Sequence, residues 1–489
     1  MILPVLLAAA TIAGAPQASY RVLSQTYTID RKYRSMEGPS SMQRITLGDK
    51  NKPELLWITG VRTEMVGEDG STPQLAELMC HVNVDLDTTF HQALFDIRRP
   101  VGSRVITLSQ GMLSAKLPPG FGFPIASNEP LLLFTQVLNL NIEKPDNMKV
   151  RHRVTIDYIR DRDLTTPIKP LFNVGASGMV QLDDNPLALA TSMPSAHSGA
   201  SCLIGARAPN AAASSADYTD PKGRKMTGHW IVPPGRQVNH SDVTWFMNLP
   251  FDTRLHYAAV HLHPFASELI LRDLTAKVDV FRAKATNPME GIGLLRVDRF
   301  TSVEGVQLYQ THKYELVSIY DNPTKENADS MASVFLGLSD PLFVKPTQAQ
   351  LARRSEVLFK ATNVSLRTAA GVVTVTLARD AAADTAIQVA RLLDGGVLAG
   401  ARVKNHGDAI RITIPLTAEN SSLLQPLRAE AGLPHKAGTI SYCPPRTGVR
   451  EIVLSVAAKD GVDAKCTAFG RVDGVDALAV STAVSVAAR

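Results

Sequence analysis

Apolar and polar residues alternate along most of this chain, at the two-residue period of a strand with one face in a core. HVNVDLD (81–87) and KVRHRVTIDYI (149–159) alternate, SRVITLSQG (103–111) ends in a turn, and LPPGFGFPI (117–125) reads as a turn between strands. EPLLLFTQVLNLNI (129–142) is apolar enough to predict a largely buried strand. From about Val174 to Gly228 the signal weakens into a segment rich in Ala, Ser, Gly and Pro, which predicts a loop or inter-domain excursion. A second set of strands follows, among them GHWIVPPG, LHYAAVHLHP, SELILRDL, AKVDVFRAK, YELVSIYDN and SMASVFLGL. Beyond about Pro346 the runs become short, rich in Ala and Val and nearly free of aromatics, with LARRSEVLF (351–359) as a brief connecting helix. Few windows carry a helical period, so the pattern predicts an all-β protein of antiparallel sandwiches.

A chain of 489 residues is too long for one core. The composition shifts divide it into an N-terminal apolar segment (1–18), a first β-sandwich (19–173), the excursion (174–228), a second β-sandwich (229–345) and an accessory β domain (346–489). The segment MILPVLLAAATIAGAPQAS has the short apolar run and small-residue end of a secretory signal, and predicts a secreted or periplasmic protein. A retained N-terminal strand or tail is the alternative. No stretch reaches the 18 apolar residues of a stable membrane span. The net charge of +5 and the lack of basic blocks interleaved with aromatics predict no nucleic-acid partner. Four cysteines allow two disulfides, Cys443 with Cys466 and Cys80 with Cys202. Cys80 also precedes His81, where it is equally a buried small residue or a ligand.

LHYAAVHLHPF (255–265) concentrates three of the twelve histidines. On a strand His261 and His263 share a face and His256 takes the other, so two imidazoles are offered to one ion. Two such histidines on a solvated strand face are the alternative. No nucleophile elbow, phosphate loop, HExxH or dinucleotide fingerprint accompanies them.

The order HWIVPPGRQVNHSD, HYAAVHLHP, YDNPTKENADSMASVFLGL resembles the C-terminal half of the copper type II, ascorbate-dependent monooxygenases, the family of peptidylglycine alpha-hydroxylating monooxygenase and dopamine beta-monooxygenase. ELMCHVNVDLD, LPPGFGFPI and LLLFTQVLNLN agree with its N-terminal half in outline, and the resemblance covers roughly residues 45 to 345. It implies two consecutive antiparallel jelly-roll sandwiches, each with a copper, facing one another across open solvent. In the second sandwich the ligands would be His261, His263 and Met331; two imidazoles hold both copper states and a thioether favours Cu(I).

The first site departs from the family pattern. His81 keeps one of the adjacent histidine positions and Cys80 replaces the other, while Leu138, two residues after Gln136, fills the third. His91 or the Cys80 thiolate would have to compensate, and a turn or surface role for His91 is the alternative. The carboxylate clamp of peptide-amidating members is replaced by Ala259, Ser333 and Phe335, which points to a neutral or apolar small-molecule substrate. His229, His240, Asp321, Glu326 and Asp329 have weaker claims, as loop or solvated residues. The resemblance therefore implies a copper-dependent monooxygenase or oxidase drawing electrons from a reductant such as ascorbate. A non-catalytic exported copper-binding or structural protein is the alternative.

Overall fold

The computed structural model describes residues 16–33, 37–49, 51–183, 185–188, 217–360, 362–394, 398, 400–417, 430–443, 451–462 and 465–486. Residues 1–15 of the apolar segment at the start of the chain, and Cys202, lie outside these residues. The alternating runs are strands: Leu55–Gly67 and Met148–Arg160 pair antiparallel along their length, with Ala18–Leu23 on the outer side of the latter. Phe121–Ala126 lies on the other side of Leu55–Gly67 and continues the sheet through a two-residue parallel pairing with Lys169–Ser177. From there the sheet runs antiparallel through Ala332–Ser339 and Thr253–Leu262 to Phe300–Leu308. The strand Lys169–Ser177 crosses the boundary expected at residue 173.

Two smaller sheets supply the opposing apolar faces. Ser40–Ile45, Leu131–Val137, Met79–Leu86 and Arg104–Ser109 form one. Gly235–Asp242, Tyr314–Asn322, Ala266–Asp273, Val278–Thr286 and Arg296–Val297 form the other. A single hydrophobic core extends across all of them, from Tyr27 to Leu338. The accessory strands build a separate core around Leu366, Ile412, Leu454 and Phe469. Their eight-stranded sheet is nearly closed: an isolated bridge joins Arg402, on one edge strand, to Ala483, beside the other. The protein is thus all-β, with antiparallel and mixed sheets that are broadly sandwich-like. Cys443 and Cys466 form a disulfide within the accessory part.

The helices α1 (Thr88–Phe95), α2 (Thr244–Met247), α3 (Gln348–Phe359) and α4 (Ala383–Asp394) punctuate the strands. Only α3 coincides with a helix expected from the sequence. α1, α3 and α4 bury Phe90, Leu94, Leu351, Leu358 and Ile387 in a third cluster that joins the accessory part to the first sheets. Arginines complete this joint by donating to carbonyls at or just beyond helix ends: Arg354 to Leu94 at 3.1 Å, Arg391 to Ile97 at 2.8 Å and Arg379 to Val357 at 2.9 Å. Among the described residues no helix is long and apolar enough to cross a membrane.

Candidate functional site

Strand Thr253–Leu262 lies one in from the edge of its sheet, between Ala332–Ser339 and the edge strand Phe300–Leu308. It sets His261 opposite Ser333. The strand stops at Leu262, and His263 enters a turn in which Ala266 donates to the His263 carbonyl at 3.3 Å. Phe265 holds a positive φ of 70° there, and its N–H donates to Asn287 Oδ1 at 2.7 Å.

The ring of His261 meets that of His263 edge-on at 5.4 Å and that of His81 edge-on at 5.8 Å. The His263 ring lies 6.4 Å from that of His229, and His81 stacks on Phe134 at 5.7 Å. Next to this row, His152 donates from Nε2 to the Gln136 carbonyl at 3.1 Å. All five imidazoles are no more than 4% exposed. The row spans the seam between the two halves, which is knit by Ser109 Oγ donating to the Val260 carbonyl (3.3 Å), Val297 N to the Gly111 carbonyl (3.0 Å) and Leu294 N to Gln110 Oε1 (2.9 Å). Packed side chains therefore fill the place where the family resemblance implied open solvent between two coppers.

This arrangement corrects the copper assignment and, with it, the monooxygenase resemblance and the ascorbate-driven redox function. Among the described residues no group of three or more His, Cys, Asp and Glu side chains is placed to hold a metal ion. Met331 is wholly buried, and its carbonyl accepts from the Tyr320 hydroxyl at 2.5 Å. Asp329 Oδ2 lies 3.7 Å from His263 Nδ1.

The other residues singled out by the sequence have packing partners. Cys80 is buried with Sγ 3.3 Å from Nδ1 of His81. His91 is placed by α1 against Phe95, and its Nδ1 is 2.9 Å from Glu129 Oε1. Leu138 is buried, and Gln136 donates from Nε2 to the Gly38 carbonyl. Ala259 lies opposite Phe335, whose ring sits 5.1 Å beneath the Arg104 guanidinium, itself paired with Asp85. Ser333 Oγ is 2.9 Å from Ser177 Oγ. His256, on the opposite strand face, is buried against Phe121, with Nδ1 2.9 Å from the Ser302 carbonyl and Nε2 2.7 Å from Ser339 Oγ; burial holds its pKa below the usual histidine value. His240 and Asp321 make exposed pairs with Glu315 and Arg236.

Sequence reasoning overlooked His152, whose burial pushes its pKa down to about 3, with a smaller contribution from His81. Its place in RHRV, at an inward position of an alternating strand, is the signal that marks it as a core residue.

No family model matches the chain, and no curated protein matches it. Among solved structures, the major capsid protein P2 from bacteriophage PM2 is similar over 66% of this chain and 100% of its own, with 7% identity and a TM-score of 0.24. The mavirus major capsid protein is similar over 68% of this chain and 92% of its own, with 9% identity and a TM-score of 0.19. At TM-scores this far below 0.5 neither likeness fixes the strand arrangement or bears on what this chain does.

Proposed function

We propose that this chain is a non-catalytic structural protein. In this reading two jelly-roll sandwiches, residues 19–173 and 229–345, stand side by side and carry an accessory β domain from about residue 346. The observation that carries it is the seam: the side chains that would have done chemistry are buried in a core common to both halves. Catalysis at these histidines needs a concave site that admits substrate, and the packed seam leaves none there. The Cys443–Cys466 disulfide favours an oxidising compartment, which agrees with an exported protein.

The test is copper retention and oxygen uptake by the full chain. After copper loading and dialysis the protein should keep only substoichiometric metal, and ascorbate should drive no oxygen uptake beyond that of the His263→Ala variant. The His261→Phe variant should fold with an unchanged or raised Tm. Neither ring nitrogen of His261 has a hydrogen-bond partner, so an apolar ring removes a buried polar cost. One equivalent of copper held through dialysis and lost on His261→Ala, His263→Ala substitution would overturn the reading.

A further inference from the structure

Residues 47–49 and 52–56, 158–162 and 345–351 converge from distant parts of the chain on a cavity of about 780 Å³ between the first sheets and the start of α3. That size suits a small ligand, and the junction of two structural units is a common place for one. Leu47, Leu55, Leu56, Tyr158 and Leu351 line it and are buried, so its floor is apolar. Lys52, Arg160, Arg162 and Lys345 stand around it against three carboxylates, Asp49, Glu54 and Asp161.

Asp161 and Asp49 already accept hydrogen bonds, whereas Glu54 is held by ion pairs alone. Asp161 holds Lys345 at 2.6 Å and accepts from Trp57 Nε1 at 3.0 Å. Asp49 Oδ1 accepts from the Asn51 N–H at 2.8 Å. Glu54 is shared between Arg160 Nε at 3.8 Å and Arg162 Nε at 3.3 Å, and Arg162 is also 3.9 Å from Asp163. Each guanidinium carries five donors, so the two arginines have donors in excess of the acceptors beside them. The N-terminal end of α3, capped by Thr347, adds partial positive charge to the same cavity.

We infer that this cleft binds a small amphipathic anion, a short apolar chain ending in one carboxylate or phosphate. The chain would lie on the leucine and tyrosine floor, and the head would meet Arg160, Arg162 and Lys52. A guanidinium fork matches either head group. Such binding would also tie the accessory part to the first sheets, since residues of both line the cavity. The inference is independent of the structural role proposed above.

Titration calorimetry on the full chain tests it at constant ionic strength, with sodium octanoate, octyl phosphate, octylammonium chloride, 1-octanol and sodium acetate as probes. One octanoate or octyl phosphate should bind per chain, and the tighter of the two names the head group. Octylammonium should not bind, and octanol and acetate should bind at least about tenfold more weakly. Arg160→Ala with Arg162→Ala should weaken the anion about tenfold, with an unchanged circular dichroism spectrum. If that variant misfolds, Arg162→Glu, at a side chain 63% exposed, gives the same reading. Absence of saturable binding by either anion, equal binding of octylammonium, or a folded variant that binds like the parent overturns the inference.

Discussion

At the scale of single residues, burial decides what the histidines do. His152 is wholly buried and stays neutral in the fold, with a pKa of about 3 against about 6.5 when unfolded. Below pH 6.5 the unfolded chain binds a proton that the folded chain refuses, so the depressed pKa makes stability fall with pH. The contribution is fully present above about 6.5 and is lost as pH falls toward 3, at about 1.4 kcal/mol for each pH unit in that window. Urea unfolding of the full chain between pH 7 and pH 4 should show this decline, and His152→Gln, which keeps a donor for the Gln136 carbonyl, should flatten it. Equal slopes in parent and variant would assign the acid sensitivity to other groups. The strand parity of LHYAAVHLHPF made His261 and His263 visible as a pair, but not what faces them. Their neighbour His81 comes from a strand far back in the chain, and residue spacing holds no information about such a contact. The reading of Cys80 and Leu138 as replaced ligands likewise assumed a site where the fold places core.

At the scale of elements, strands were legible and, apart from α3, helices were not. Alternation over HVNVDLD and KVRHRVTIDYI exposes one face of a sheet directly, and both runs are strands in the structure. TTFHQALF is a two-turn helix, too short for its period to stand out beside the strand runs. AIQVARLL, within α4, continues a polar stripe of Thr385, Gln388 and Arg391 at helical spacing, but all three are buried, so the stripe meets protein and not solvent. Arg391 is the charged member of that stripe: it is 8% exposed, burial lowers its pKa to about 10, and it donates to Gln92 Oε1 at 3.2 Å and to the Ile97 carbonyl. Arg391→Ala leaves those acceptors unpaired, for about 2–3 kcal/mol. Hydrogen exchange should quicken in α1 and α4 of the variant, while amides of Leu55–Gly67 keep their protection. Faster exchange throughout would mean that this contact holds the whole fold and not the joint alone.

At the scale of the whole molecule, the two main cores divide the chain near the segment that carries α3: one ends at Leu338 and the other begins at Val364. The disulfide lies entirely in the second, closing a loop with a sequence separation of 23. A crosslink of that span stabilises by about 3 kcal/mol, mainly by restricting the unfolded chain, and only the unit that contains it gains. All three tryptophans, Trp57, Trp230 and Trp245, lie in the part before α3, so tryptophan fluorescence reports on the sandwiches and far-ultraviolet circular dichroism on both units. Reduction should lower the melting of the accessory unit by roughly 10 °C, given its size, as an earlier step in circular dichroism, and leave the tryptophan transition in place. The joint of α1, α3 and α4 sets the limit of this independence, because melting the accessory sheet uncovers Phe90, Leu94 and Ile387. If the tryptophan transition moves down together with the circular dichroism step, the joint couples the two cores into one cooperative unit, and the division near α3 is one of architecture without thermodynamic independence.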